Sequence, residues 1–198
     1  MTLARGGAGL VLVTLLLCIT GCSDGAAQEP KKTVRSRIST EYKAPPPSVR
    51  EMVLEADAVV YGRVVGKRPK DGKGGSRVET VYGFAVQEVL HNFGQPTVDD
   101  RKSLYLLRYG GERERSQDRL EVWESRFPQF QNGSEFVLFL RWNEQEQLWE
   151  VLWGPAGLIE LKQKRGRSWS QSTPLSRFDG VPEADMLHSI RLMKDGGG

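Results

Sequence analysis

The chain of 198 residues is short of cysteine. It has two, Cys18 and Cys22, both close to the N-terminus, so nothing beyond residue 22 can form a disulfide and the fold must rest on core burial. Histidine is equally scarce. His91 and His188 are the whole supply, and no HxxH, HExxH or CxxC spacing occurs. A zinc site or a Ser-His-carboxylate site has little to be built from, and no metal or cofactor is expected. An excess of one charge is missing too: 28 basic against 25 acidic side chains leave +3, which argues against a dedicated nucleic-acid binder. The chief apolar run, Ala8 to Ile19, falls well short of the roughly 20 residues that a bilayer-spanning helix needs. No internal repeat is present.

What is present first is an address. Arg5 supplies a positive charge, Ala8 to Ile19 a short apolar run, and Thr20-Gly21 small residues before Cys22, the three parts of a secretory signal. Ile19-Thr20-Gly21-Cys22 resembles the lipobox of bacterial lipoproteins, in which the cysteine thiol carries the diacylglycerol and small neighbours fit the peptidase. The resemblance implies lipidation of Cys22, palmitate included, and anchoring to membrane lipid, since several acyl chains together hold stably where one holds marginally. An ordinary signal peptide with an incidental cysteine is the alternative. Ser23 after Cys22 is compatible with the periplasmic face of the outer membrane in a Gram-negative host; otherwise the outer face of the cytoplasmic membrane is expected.

The domain boundaries follow from composition. Residues 1–21 read as a signal peptide, 22–47 as a disordered tether, 48–194 as one domain and 195–198 as a flexible tail. The tether is polar, basic and proline-rich, with too little apolar area to offset its ordering entropy. Its Lys31, Lys32, Arg35 and Arg37 either touch anionic headgroups or are simply solvated.

Within the domain, Ser48 with Glu51 three residues on, and Val49, Met52, Val53 and Ala56 at helical spacing, predict a short helix with a capping box. From Asp57 the period changes to two. Strands are predicted at 57–68, 77–92, 102–109, 120–124, 134–142, 148–153 and 158–162, separated by glycine and proline turns. In the second strand the apolar pattern slips by one residue after Val86, which predicts a β-bulge near Gln87 and Glu88. The run Phe136 to Leu140 suits a strand buried on both faces. Pro182 to Lys194 predicts a closing helix with Met186, Ile190 and Met193 on one face, placed over an open barrel end.

The succession of ADAVV at 56–60, the long VYGFAVQEVLHNFG strand, LYLLRYGG, FQNGSE at 130–135 and LWEVLWGPAGLIEL is similar to the small OB-like domain of many uncharacterised bacterial exported proteins. It is distantly similar to the netrin-like domain of tissue inhibitors of metalloproteinases. The resemblance covers roughly residues 48 to 194 and implies a mainly β fold, a five-stranded, Greek-key OB-like barrel with a short N-terminal helix and a C-terminal helix. It implies little about activity, because this fold carries unrelated functions. The inhibitors chelate zinc through an N-terminal cysteine at the barrel edge. Here Cys22 stands far ahead of the first strand, with an amine that lipoprotein processing often acylates, so that mechanism does not carry over.

The remaining candidates are few. Gly66 to Gly74 compares poorly with a phosphate-binding loop, since Gly74 stands where Ser or Thr is needed, and it reads as a basic hairpin tip. Asp99-Asp100 lacks the spaced oxygens of a calcium loop. Of five tryptophans, Trp149 and Trp153 fall on one face of a single strand. They either fill the barrel or present a ligand surface. The expectation is a membrane-anchored, non-enzymatic binding or assembly module with an envelope protein or glycan partner. A protease inhibitor or envelope-enzyme regulator using Gly110 to Arg119 is the alternative, and a hydrolase built on His91 or His188 comes last.

Overall fold

The computed structural model describes residues 32–72, 77–94, 96–99 and 102–193. The signal peptide, Cys22, the tail at 195–198 and the tip at 73–76 lie outside the described residues.

Helix α1, Val49–Glu55, begins as its sequence dictates. Ser48 Oγ accepts from the Glu51 amide at 3.2 Å, and the Glu51 carboxylate accepts from the Ser48 amide at 3.1 Å, so the predicted capping box is present. The helix leads directly into a long hairpin of β2, Ala58–Asp71, and β3, Val78–Asn92. Gly62 pairs with Val86 and Tyr61 with Glu88, so Gln87 is skipped, as the phase slip predicted. Two further register shifts, at Val59/Val60 and Val64/Gly66, bend the pair more. Gly62 is required by this close approach: a Cβ there would stand 2.2 Å from the Ala85 carbonyl oxygen.

The main sheet adds β4 (Ser103–Tyr109), β7 (Glu135–Asn143), β8 (Leu148–Val151), β9 (Leu158–Lys162) and β10 (Arg165–Ser168) in the order β10-β9-β7-β2-β3-β4-β8. Strand β8 pairs antiparallel with β7 and meets β4 in parallel at Leu106 and Trp149. The main sheet thus has more strands than the five expected, while the mainly β character and the two helices are as expected. Asp57 ties the strand ends together, its carboxylate accepting from the Trp142 amide at 2.9 Å and its carbonyl from the Phe93 and Gly94 amides, both at 2.8 Å.

Phe136 to Leu140 are all 0% exposed, because alternation sends them into two different cores. Phe136, Leu138 and Leu140 join Val60, Phe84, Leu106 and Trp149 on the concave side. Val137 and Phe139 join α1 and α2 (Glu183–Leu192) on the other. Helix α2 therefore covers a sheet face beside α1, through Met186, Leu187 and Ile190, instead of an open barrel end.

A second sheet of order β1-β6-β5 is built from β1 (Lys32–Ile38), β5 (Gly111–Glu114) and β6 (Asp118–Glu124). This corrects the disordered tether expected over 22–47: its residues 32–38 form a strand parallel to β6. The compositional argument holds in one respect, since β1 is exposed apart from a half-buried Ile38. Its order comes from main-chain pairing and from opposite charge, with Arg35 Nε 3.1 Å from Glu121 Oε2. Among the described residues no helix is long and apolar enough to cross a membrane.

Candidate functional site

In β4 the side chains of Leu104, Leu106 and Arg108 follow one another at the spacing of a single strand face, and both leucines are buried. Arg108 thereby brings a guanidinium to the end of the concave core. Its Cζ lies 3.9 Å from the Phe127 ring centroid and 5.3 Å from that of Phe130, and Nη1 donates to the Pro128 carbonyl at 2.6 Å. Burial pushes its pKa down, with Tyr82, Glu124 and Tyr42 acting in the other direction. Its Nε is sealed from solvent with no hydrogen-bond partner among the described residues.

Glu124, at the end of β6, is 4% exposed and accepts from the Tyr42 hydroxyl at 2.8 Å. Burial and then the Glu124 carboxylate hold the Tyr42 phenol well above its usual pKa. Tyr42 reaches this position across Gly154, where a Cβ would lie 2.5 Å from the ring; the glycine also sits at φ +58. The segment after β1 is thus pinned over the site.

Above Arg108 opens a cleft of about 460 Å³, with Trp123, 39% exposed, on one wall and Gln129, Gln131 and Asn132 on the other. Glu112 on its rim is neutralised: Arg119, then Lys67, hold its carboxyl below the ordinary range. The lining combines an exposed indole with amides and carboxylates that can donate and accept. It can hold a polar ligand against an aromatic wall.

The structure separates the residues singled out from the sequence. Trp149 and Trp153 are 5% and 3% exposed, and they do not share a face. Strand β8 ends at Val151 and the chain turns at Leu152 and Trp153, the latter at φ 59, so the alternation stops and Trp149 enters the concave core and Trp153 the helix-covered one. The ligand surface expected of that pair is corrected accordingly: both rings are packing. Trp149 meets Trp142 edge-on at 5.2 Å, and Trp153 lies 6.3 Å from Phe139. His91 is 4% exposed beneath α2, with Nε2 2.8 Å from the Ile190 carbonyl, and His188 is on the exposed side of α2. Gly110 to Arg119 forms β5, a turn in which the Arg115 amide donates to Asp118 at 2.8 Å, and the start of β6. Asp99 pairs with Lys102 in its loop. Among the described residues no group of three His, Cys, Asp or Glu side chains could hold a metal ion.

Arg108, Tyr42, Glu124 and Trp123 were not singled out from the sequence. One signal was there: a cation in phase with two leucines in an alternating strand. Compared with known proteins, the chain matches no family model and no curated protein.

Proposed function

We propose that this protein is an exported lipoprotein, anchored to a bacterial membrane through acylated Cys22, whose domain is a non-enzymatic binding or assembly module of the cell envelope. The observation that carries the binding reading is the cleft over Arg108, walled by Trp123 and three amide side chains. Its charged groups are engaged with one another and with backbone, which suits holding a ligand better than transforming one. Strands β2, β3, β4, β8 and β7 pair in succession, with the parallel Leu106–Trp149 bridge between β4 and β8, and this supports reading them as a small OB-like, Greek-key barrel. The anchor reading rests on Ile19-Thr20-Gly21-Cys22.

Pull-down from envelope extracts with the full chain, comparing wild type with Trp123→Ala, tests the binding reading. A protein or glycan partner held by wild type and lost with the indole is expected, and equal recovery by both overturns the cleft. Mass spectrometry of the envelope-purified protein should find Cys22 acylated at the mature N-terminus; an unmodified Cys22 ends the anchor reading. The β5–β6 hairpin, braced by Arg119 on Glu112 and Arg113 on Asp71, favours a second reading, an inhibitor or regulator of an envelope protease. Inhibition assays against envelope proteases separate the two.

A further inference from the structure

Strand β1 occupies its place poorly. It contributes no side chain to either core, yet every residue from Lys32 to Ile38 is paired in register with Asp118 to Glu124 of β6. Pairing with one neighbour, exposed on the outer edge, is the weakest way a strand can be held. Beside it an open cleft of about 630 Å³ is lined by Ser36 and Ile38 from the strand, Leu120 and Val122 from β6, and Val78 and Tyr109 from the main sheet, together with Arg77 and the polar residues that follow the strand. A hydroxymethyl side chain, Ser36, is all that β1 sets opposite Val122, over an apolar floor that would take a larger group. On the outer face, Arg35 meets Glu121 at 3.1 Å and Arg37 stands opposite the half-exposed Trp123.

We propose that the edge of β6 that β1 covers is a strand-accepting site for an extended peptide segment with basic residues on one face and apolar residues on the other, and that β1 is a weak internal occupant which such a partner displaces. The chemistry of the ligand is written in the occupant. Main-chain bonds to β6 give the affinity, Glu121 and Trp123 select cations at alternate positions, and the apolar floor rewards a branched side chain where β1 has Ser36. A basic face suits β6 because Glu121, which pairs with Arg35, and the exposed Trp123, opposite Arg37, lie on the face that β1 meets with its arginines. Trp123 and Glu121 also wall the cleft over Arg108, so a strand added here would run along its rim. The inference rests on the binding-module reading and names its partner class.

The test uses the full chain and two labelled peptides, one with the sequence of residues 32–39 and one with isoleucine in place of Ser36, read by fluorescence anisotropy at physiological salt. The Ile38 carbonyl accepts from the Ser125 amide at 3.4 Å, so alternation turns the amides of Val34 and Ser36 toward β6 as well. A Val34→Pro, Ser36→Pro chain removes those donors and empties the edge without touching either core. Both peptides are expected to bind this variant, the isoleucine peptide about tenfold more tightly, and wild type about tenfold more weakly than the variant does. Glu121→Arg on the proline background is expected to weaken binding about tenfold, with the near-ultraviolet circular dichroism of the domain unchanged. No binding to the proline variant, or equal binding of a scrambled peptide of the same composition, overturns the proposal. If the peptides fail while envelope pull-down still retains a partner through Trp123, the strand site falls and the binding-module reading stands.

Discussion

Arg108 shows how one side chain closes a core and opens a site. The guanidinium binds a loop carbonyl and lies on two aromatic rings that belong to the concave core. A hydrogen bond from a charged donor is worth about 1.5–3 kcal/mol and a desolvated cation–π contact about 2, set against the cost of burying the charge. Arg108→Met is therefore expected to lower stability by about 2 kcal/mol in urea unfolding. Arg108→Lys should not restore the loss, since a point charge replaces a planar stacking group. Two phenols, Tyr61 buried and Tyr42 half-buried, make a pH prediction of defined sign. Tyr42 is raised by burial and Glu124, and Tyr61 by burial, a hydrogen bond to Glu183 and the charge of Glu135. The unfolded chain releases these protons near pH 10 while the fold retains them, so their stabilisation is complete below about pH 10 and is lost as pH rises above it. Urea midpoints should fall as pH rises above about 10, and less steeply in Tyr61→Phe.

At the scale of elements, local chemistry and close packing carry different risks. The capping box of α1 satisfies amides that nothing else in the helix can reach, so Ser48→Ala should cost about 1 kcal/mol in thermal or chemical unfolding. Gly62→Ala acts differently, because the added carbon would stand 2.2 Å from a main-chain oxygen of the paired strand. Strands β2 and β3 would have to separate at the centre of the sheet, and a loss of about 3 kcal/mol or more is expected. Elements whose signal is local were readable: α1 from its cap, α2 from its buried spacing, and the bulge at Gln87 from a phase slip. Strands β1, β5 and β10 were not. They are short or polar, and they hold together through pairing with β6 and β9, which composition does not encode.

For the whole molecule, the division into two cores decides what can be removed. Strand β1 belongs to neither, so replacing residues 32–38 by a Gly/Ser linker should shift the unfolding free energy by about 1 kcal/mol at most, whereas Phe139→Ala in the helix-covered core should cost about 3–5 kcal/mol. Equal losses from the two changes would mean that the small sheet is integral to the fold.

By itself the sequence determined what depends on near neighbours in the chain: the helix cap, the alternation that buries Phe136 to Leu140 on both faces, the bulge, and the mainly β character with two helices. Tertiary structure decided the rest. A turn at Leu152 and Trp153, just past the end of β8, sent two tryptophans of an apparent single face into opposite cores. A strand drawn from polar tether sequence was ordered by a neighbour far along the chain, and Arg108 and Glu124 met at one cleft, with Tyr42 bonded to Glu124, through pairings that no local pattern specifies. Periodicity reports which way a side chain points within its own strand; it carries no information on which strand will lie across from it.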